Sequence, residues 1–168
     1  MEGWRLPEAR YQHCSAALGR SLLVAGGHPT LATVQVLELE AEVSVRCVQS
    51  LVSTRGQVWR GWRDLAPMRT GRVAHACAVT SLGGRHALVV SGGQNGGEFL
   101  SSVEALALGG GEVSCDWPGP GHVTPSSPLI GRQAGGWVPL PALLQPRRNH
   151  ALTLLGGALA VVGGDTAV

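Results

Sequence analysis

The chain has 168 residues, 44% of them hydrophobic and only 14% charged, so it is long enough for one domain with a core and too apolar for wholesale disorder. Its formal net charge of +2 comes from Arg alone, scattered along the chain, which argues against a nucleic-acid surface because phosphate neutralisation needs clustered cations. Apolar stretches are broken by Gly well short of a membrane span and no signal peptide is visible, so the expected setting is cytoplasmic, with no membrane partner.

The first apolar run, Leu22-Leu23-Val24-Ala25, stops on Gly26-Gly27 and reads as a buried strand with a sharp exit. Upstream lie Trp4-Arg5-Leu6-Pro7 and an Arg10-x-x-His13 frame. Downstream, a His28-Pro29-Thr30 loop leads into Thr33–Leu39, which alternates polar and apolar residues. An insertion over 41–61 contains a possible extra strand at Val43 to Val52.

The same order then returns. Trp62-Arg63-Asp64-Leu65-Ala66-Pro67-Met68 precedes Arg72-x-x-His75, and Ala87–Ser91 runs into Gly92-Gly93. His75 to Gly92 spans 17 positions where His13 to Gly26 spans 13, which predicts a longer hairpin turn around Ser81-Leu82-Gly83-Gly84. Gln94-Asn95 and the strand Ser102–Leu106 follow, then a second insertion over 109–136 in which Trp117 competes with Trp137 as the strand residue. The third copy holds Trp137-Val138-Pro139-Leu140-Pro141, Arg147-x-x-His150, Leu159–Val162, Gly163-Gly164 and Asp165.

Three copies in one frame make a repeat protein, with units at about 4–40, 62–108 and 137–168. Each unit reads as four short strands in the order Trp strand, Arg/His strand, Gly-pair strand and alternating strand, which is one propeller blade. Trp, Pro-Met or a relative, Arg-x-x-His, an apolar run, Gly-Gly and then Val-Glu closely resembles the kelch repeat. The resemblance implies an all-β fold, a partial propeller of about three four-stranded blades with the last incomplete. The repeat residues Trp4, Arg10, His13, Gly26, Gly27, Trp62, Arg72, His75, Gly92, Gly93, Trp137, Arg147, His150, Gly163 and Gly164 then belong to the scaffold. One His per unit suits a blade and not a metal centre, and no cofactor or metal is expected. Four cysteines (Cys14, Cys47, Cys77 and Cys115) without a Cys-x-x-Cys pair read as free thiols.

Kelch propellers are frequently interaction domains, so the resemblance implies recognition of a protein partner. In a longer form that carried a BTB domain, it would be the substrate-binding part of a ubiquitin-ligase adaptor. Loop residues His28, Thr30, Gln94, Asn95 and Asp165, together with the Asp116 to Arg132 insertion, are the candidate binding surface. Catalysis is not expected: a single Tyr excludes galactose-oxidase chemistry, and three Asp without a sialidase box leave little for a sugar-acting enzyme. The competing expectation is a fragment of a larger propeller without independent function, whose uncovered faces would be closed by missing sequence, a partner or self-association.

Overall fold

The computed structural model describes residues 5–40, 58–82, 84–109 and 136–167. Trp4, Trp117, Cys47, Cys115, the expected Val43 to Val52 strand and the Asp116 to Arg132 loop lie outside the described residues.

The described chain is all-β, and all its strand pairings are antiparallel. Strands β1 (Cys14–Leu18), β2 (Ser21–Ala25), β3 (Val34–Glu40) and β4 (Val58–Leu65) form one sheet in sequence order. Strands β5 (Ala76–Leu82) and β6 (Arg85–Ser91) start the second. It continues, after the small β7 (Gln94–Asn95) and β8 (Glu98–Phe99) hairpin, with β9 (Val103–Gly109) and β10 (Val138–Leu140). The third unit holds β11 (Arg147–Arg148) paired with β14 (Asp165–Thr166), and the hairpin β12 (Ala151–Leu155) and β13 (Ala158–Val162).

Three expectations need correcting. The Trp strand opens no unit: β4, with Trp62, closes the first sheet against β3, and β10 closes the second against β9. A sheet therefore begins one strand later than the sequence unit, because an antiparallel meander places each strand beside its chain predecessor. The Arg-x-x-His frame forms no main strand of its unit; it lies just before the inner strands β1, β5 and β12, its first two residues making the short β11 in the third copy, and its third residue turns left-handed in each copy (Gln12 φ 55, Ala74 φ 53, Asn149 φ 55). The extra residues of the second copy do not lengthen its turn. Both hairpins are closed by two residues, Leu18 pairing with Ser21 and Leu82 with Arg85, and the four added residues extend the strands from 5 to 7 each.

Period-two alternation sorts the side chains into two layers. Leu18, Leu23, Ala25, Val34 and Val36 of the first sheet pack against Leu88, Val90, Leu106 and Leu108 of the second. The opposite face of the second sheet, through Ala87, Val89, Val103 and Ala105 with Leu140 beside them, meets Leu143, Leu152 and Leu159. Trp137 wedges into the first layer and donates its indole N–H to the Ala66 carbonyl at 2.8 Å. Trp62, in the same place on the first sheet, instead lines the face turned away from the second sheet, with His13, Leu22 and Val24.

The inner strands β1 and β5 are neighbours, and Cys14 and Cys77 are joined across them by a disulfide, their Cα atoms 5.8 Å apart. This corrects the free-thiol expectation for these two residues. Sequence spacing hid the pair, because the cysteines occupy different positions in their frames and meet only when the inner strands stand side by side. The argument for a reducing compartment from unpaired thiols falls with it. No helix among the described residues is long and apolar enough to cross a membrane.

Candidate binding rim

Each Arg of the repeat frame reaches the first Gly carbonyl of its own unit. Arg10 Nη1 donates to Gly26 O at 3.3 Å, Arg72 Nη1 to Gly92 O at 2.7 Å and Arg147 Nη1 to Gly163 O at 2.8 Å. The contact satisfies a carbonyl that the sharp exit from the strand leaves outside the sheet ladder. The His rings fill the next joint: His75 Cε1 sits over Gly26 and His150 Cε1 over Gly92. Burial holds His75 well below the usual imidazole range, to about 3, with the nearby Arg72 charge pushing the same way. Burial also lowers His150, and the Arg147 charge adds to it. His13 is exposed.

The frame is constant, but the two residues inside it are not. Its second residue bridges to the residue just after the Gly pair in every unit: Tyr11 to His28, Val73 to Gln94, and Arg148 to Asp165. Adjacent units are stitched by backbone bonds from Ala74 N to Gln12 O at 2.9 Å and from Asn149 N to Ala74 O at 2.8 Å. The result is a rim of three varied residue pairs at one end of the inner strands, carried on a buried and repeated support.

On this rim Tyr11 stacks on His28, with ring centroids 5.1 Å apart, and stays 59% exposed. Arg148 lies over the Phe99 ring at 4.7 Å, donates to Gln94 Oε1 at 2.6 Å and pairs with Asp165 at 3.4 Å. Asn149 Nδ2 donates to Asp165 Oδ2 at 2.8 Å. Of the loop residues expected from sequence, Gln94 and Asp165 are thus drawn into one cluster and His28 into the aromatic pair. Asn95 pairs with Glu98 in the neighbouring hairpin, and Thr30 turns inward, its hydroxyl shielded from solvent. Tyr11, Phe99, Arg148 and Asn149 were missed. The signal for three of them was the pair of spacer positions inside Arg-x-x-His, which differ in every copy while their brackets do not.

An exposed aromatic such as Tyr11 can stack against a peptide, and the guanidinium, carboxylate and amide of Arg148, Asp165 and Asn149 can hydrogen-bond its backbone. A Ser–His contact, Ser91 Oγ to His150 Nε2 at 2.8 Å, is buried at 1% and 8% exposure, out of a substrate's reach. Among the described residues no group of three or more His, Cys, Asp or Glu is arranged to hold a metal ion.

No family model and no curated protein matches the chain. Among solved structures it is similar to YjhT, with a TM-score of 0.55 and 14% sequence identity over 94% of this chain and 39% of that one. The fold is β-propeller-like. The chain spans about two-fifths of the length of YjhT, and identity at this level shows the fold alone.

Proposed function

We propose that the chain is a kelch-type protein-recognition module, three propeller blades of which present the rim of Tyr11, His28, Gln94, Phe99, Arg148 and Asp165 to a protein partner. The observation that carries this reading is the contrast within each repeat. Arg72, His75 and His150 are buried and repeated, while the bracketed residues differ from unit to unit, with Tyr11, Gln12 and Asn149 exposed and Arg148 half-buried. Tyr and Arg are among the side chains that most often anchor protein interfaces. In a longer form with a BTB domain the same rim would select substrates for a ubiquitin ligase.

The test compares the wild-type chain with Tyr11→Ala/Arg148→Ala and with Arg85→Ala, an exposed residue that opens β6 at the hairpin end of β5 and β6, away from the rim. A protein captured by the wild type should bind the double rim variant at least tenfold more weakly, about 1.4 kcal/mol or more, and the turn variant unchanged. Equal capture by wild type and rim variant would place recognition elsewhere.

The support under the rim carries its own prediction. His75 stays neutral in the folded state down to pH about 3, whereas an unfolded chain takes up that proton near pH 6.5. Between those values the unfolded state binds more protons, so stability falls as pH falls from 6.5 toward 3 and is fully present above that window. His75→Gln should flatten this slope in urea midpoints measured from pH 7 to pH 4. His150, which is shifted in the same direction, contributes to the part that remains.

A further inference from the structure

The β7–β8 hairpin carries a reactive pair of residues at its tip. Its strands have two residues each, Gln94 pairing with Phe99 and Asn95 with Glu98, so Gly96 and Gly97 form the turn. Both glycines are left-handed, φ +57 and +95, the backbone that a two-residue hairpin turn asks of its central pair. Asn95, Gly96, Gly97 and Glu98 are all exposed, and nothing lies within 4 Å of the place a Cβ would take on either glycine. The hairpin is a sheet of its own, tied down by the Val73–Gln94 bridge and by the bond from Leu100 N to Gly93 O at 2.8 Å. For the tip to move, the Asn95–Glu98 pair alone has to open, and a ladder this short opens readily.

An asparagine followed by glycine leaves its side-chain amide open to attack by its own backbone, since Gly96 brings no Cβ to shield its nitrogen or to restrict rotation. The other asparagine of the chain, Asn149, has none of this freedom. Asn149 Nδ2 donates to Asp165 Oδ2 at 2.8 Å, its backbone N donates to Ala74 O at 2.8 Å, and the residue after it is the buried His150.

We infer that Asn95 is a self-modification site, whose side-chain amide is lost to the Gly96 backbone and whose conversion loosens the seat of Arg148. The Gly96 nitrogen attacks Asn95 Cγ and closes a cyclic imide, while the side-chain nitrogen leaves as ammonia with the Gly96 proton. Water then opens the imide at one carbonyl or the other, giving aspartate or isoaspartate. Either product sets a carboxylate across from Glu98, and like charges at opposed strand positions repel. Isoaspartate also adds one methylene to the backbone, which shifts Gln94 against Phe99. Those two residues hold Arg148, Gln94 Oε1 by the 2.6 Å hydrogen bond and Phe99 by the ring 4.7 Å beneath the guanidinium. The modification is independent of what the rim binds; its consequence for a partner rests on the recognition reading above.

The test incubates the pure chain in neutral buffer, folded and in urea, and follows both asparagine peptides by mass spectrometry after digestion. In the folded chain the Asn95 peptide should exchange NH for O and split into two products of equal mass. Its rate should lie within about tenfold of the unfolded chain, because a single residue pair guards the tip. The Asn149 peptide should stay intact in the folded chain. Gly96→Val should slow the change by about tenfold or more in urea, where folding plays no part, because the new side chain shields the attacking nitrogen. Asn95 that survives in the folded chain while the unfolded chain converts overturns the site, as does a Gly96→Val rate equal to that of the wild type. Asn95→Asp carries the carboxylate from the start and should speed hydrogen exchange at the Leu100 amide severalfold. An unchanged exchange rate overturns the effect on the Arg148 seat. Each measurement is made without a partner, so its failure is distinct from failure of the recognition reading.

Discussion

Gly92→Val should separate the third unit from the second sheet and cost more than about 4 kcal/mol, the range reserved for changes with a specific structural cause. Two effects add. The φ of +57 at Gly92 is left-handed backbone, which costs an ordinary residue about 1–2 kcal/mol and a β-branched one more. The new side chain also has no room: its Cβ would lie 2.5 Å from Arg147 O and 2.7 Å from His150 Cε1, with Leu100 O at 3.3 Å. Two of the three obstacles are backbone, and Arg147 O is already fixed by the bond from Gly93 N, so relief requires the joint to open. Opening it exposes Leu152 and Leu159 where they pack on Val89 and Ala105. Gly96→Val is the control. Gly96 has the same φ of +57, but nothing lies within 4 Å of its Cβ direction, so only the backbone cost of a β-branched residue applies, the same one that Gly92→Val carries. Guanidinium midpoints of the two variants measure the packing part by difference. Equal midpoints would mean that the close approach at Gly92 does not hold the units together.

What the sequence disclosed follows from how each feature is encoded. The Gly pairs and the apolar runs are local patterns, repeated three times, and each marks an exit or a strand at the place expected; the Arg-x-x-His frame was legible as a repeat but was expected as a strand. Sheet membership is not local. Whether Trp62 joins the strands before it or after it depends on pairing with Leu37, 25 positions upstream, and nothing in the Trp62 segment itself records that. The lengthened β5–β6 hairpin was legible as four added residues but not as added strand, since a Gly pair at 83–84 fits a short turn and a long one alike. The Cys14–Cys77 disulfide and the Arg148–Gln94 contact join residues 63 and 54 positions apart, and both depend on the packing of neighbouring units. For the rim, the Gly-pair exits pointed to His28, Gln94 and Asp165. Their partners Tyr11 and Arg148 looked like spacers, because a frame defined by what repeats passes over what varies.

Glu104→Ala should destabilise the chain by about 3–5 kcal/mol, the usual effect of removing one partner of a buried ion pair. Arg72 is fully buried, and its guanidinium meets Glu104 Oε1 in a short charge-assisted contact. Burial lowers the pKa of Arg72, and Glu104 is the charge that opposes this. The carboxylate also accepts from the backbone N–H groups of Arg69 at 2.9 Å and Thr70 at 3.2 Å, so its loss strands three donors at once. The first unit offers a natural comparison, since Gln35 stands where Glu104 does. There Arg10 Nη2 donates to Gln35 Oε1 at 2.8 Å, and Gln35 Nε2 donates to Asp64 at 2.9 Å. A neutral amide is therefore tolerated when a carboxylate lies behind it. Glu104→Gln keeps the acceptor and loses the charge, and should fall between wild type and Glu104→Ala. Arg72→Leu/Glu104→Leu should cost less than the two single Leu changes added together, because each single change leaves an unpaired group that the double removes. It should not return to wild type, since Arg72 also holds the Gly92 and Ser102 carbonyls. Urea unfolding of the four chains closes the cycle; strict additivity would show that the pair is bystander to the joint, and that the Gly92 exit is held by Arg72 alone.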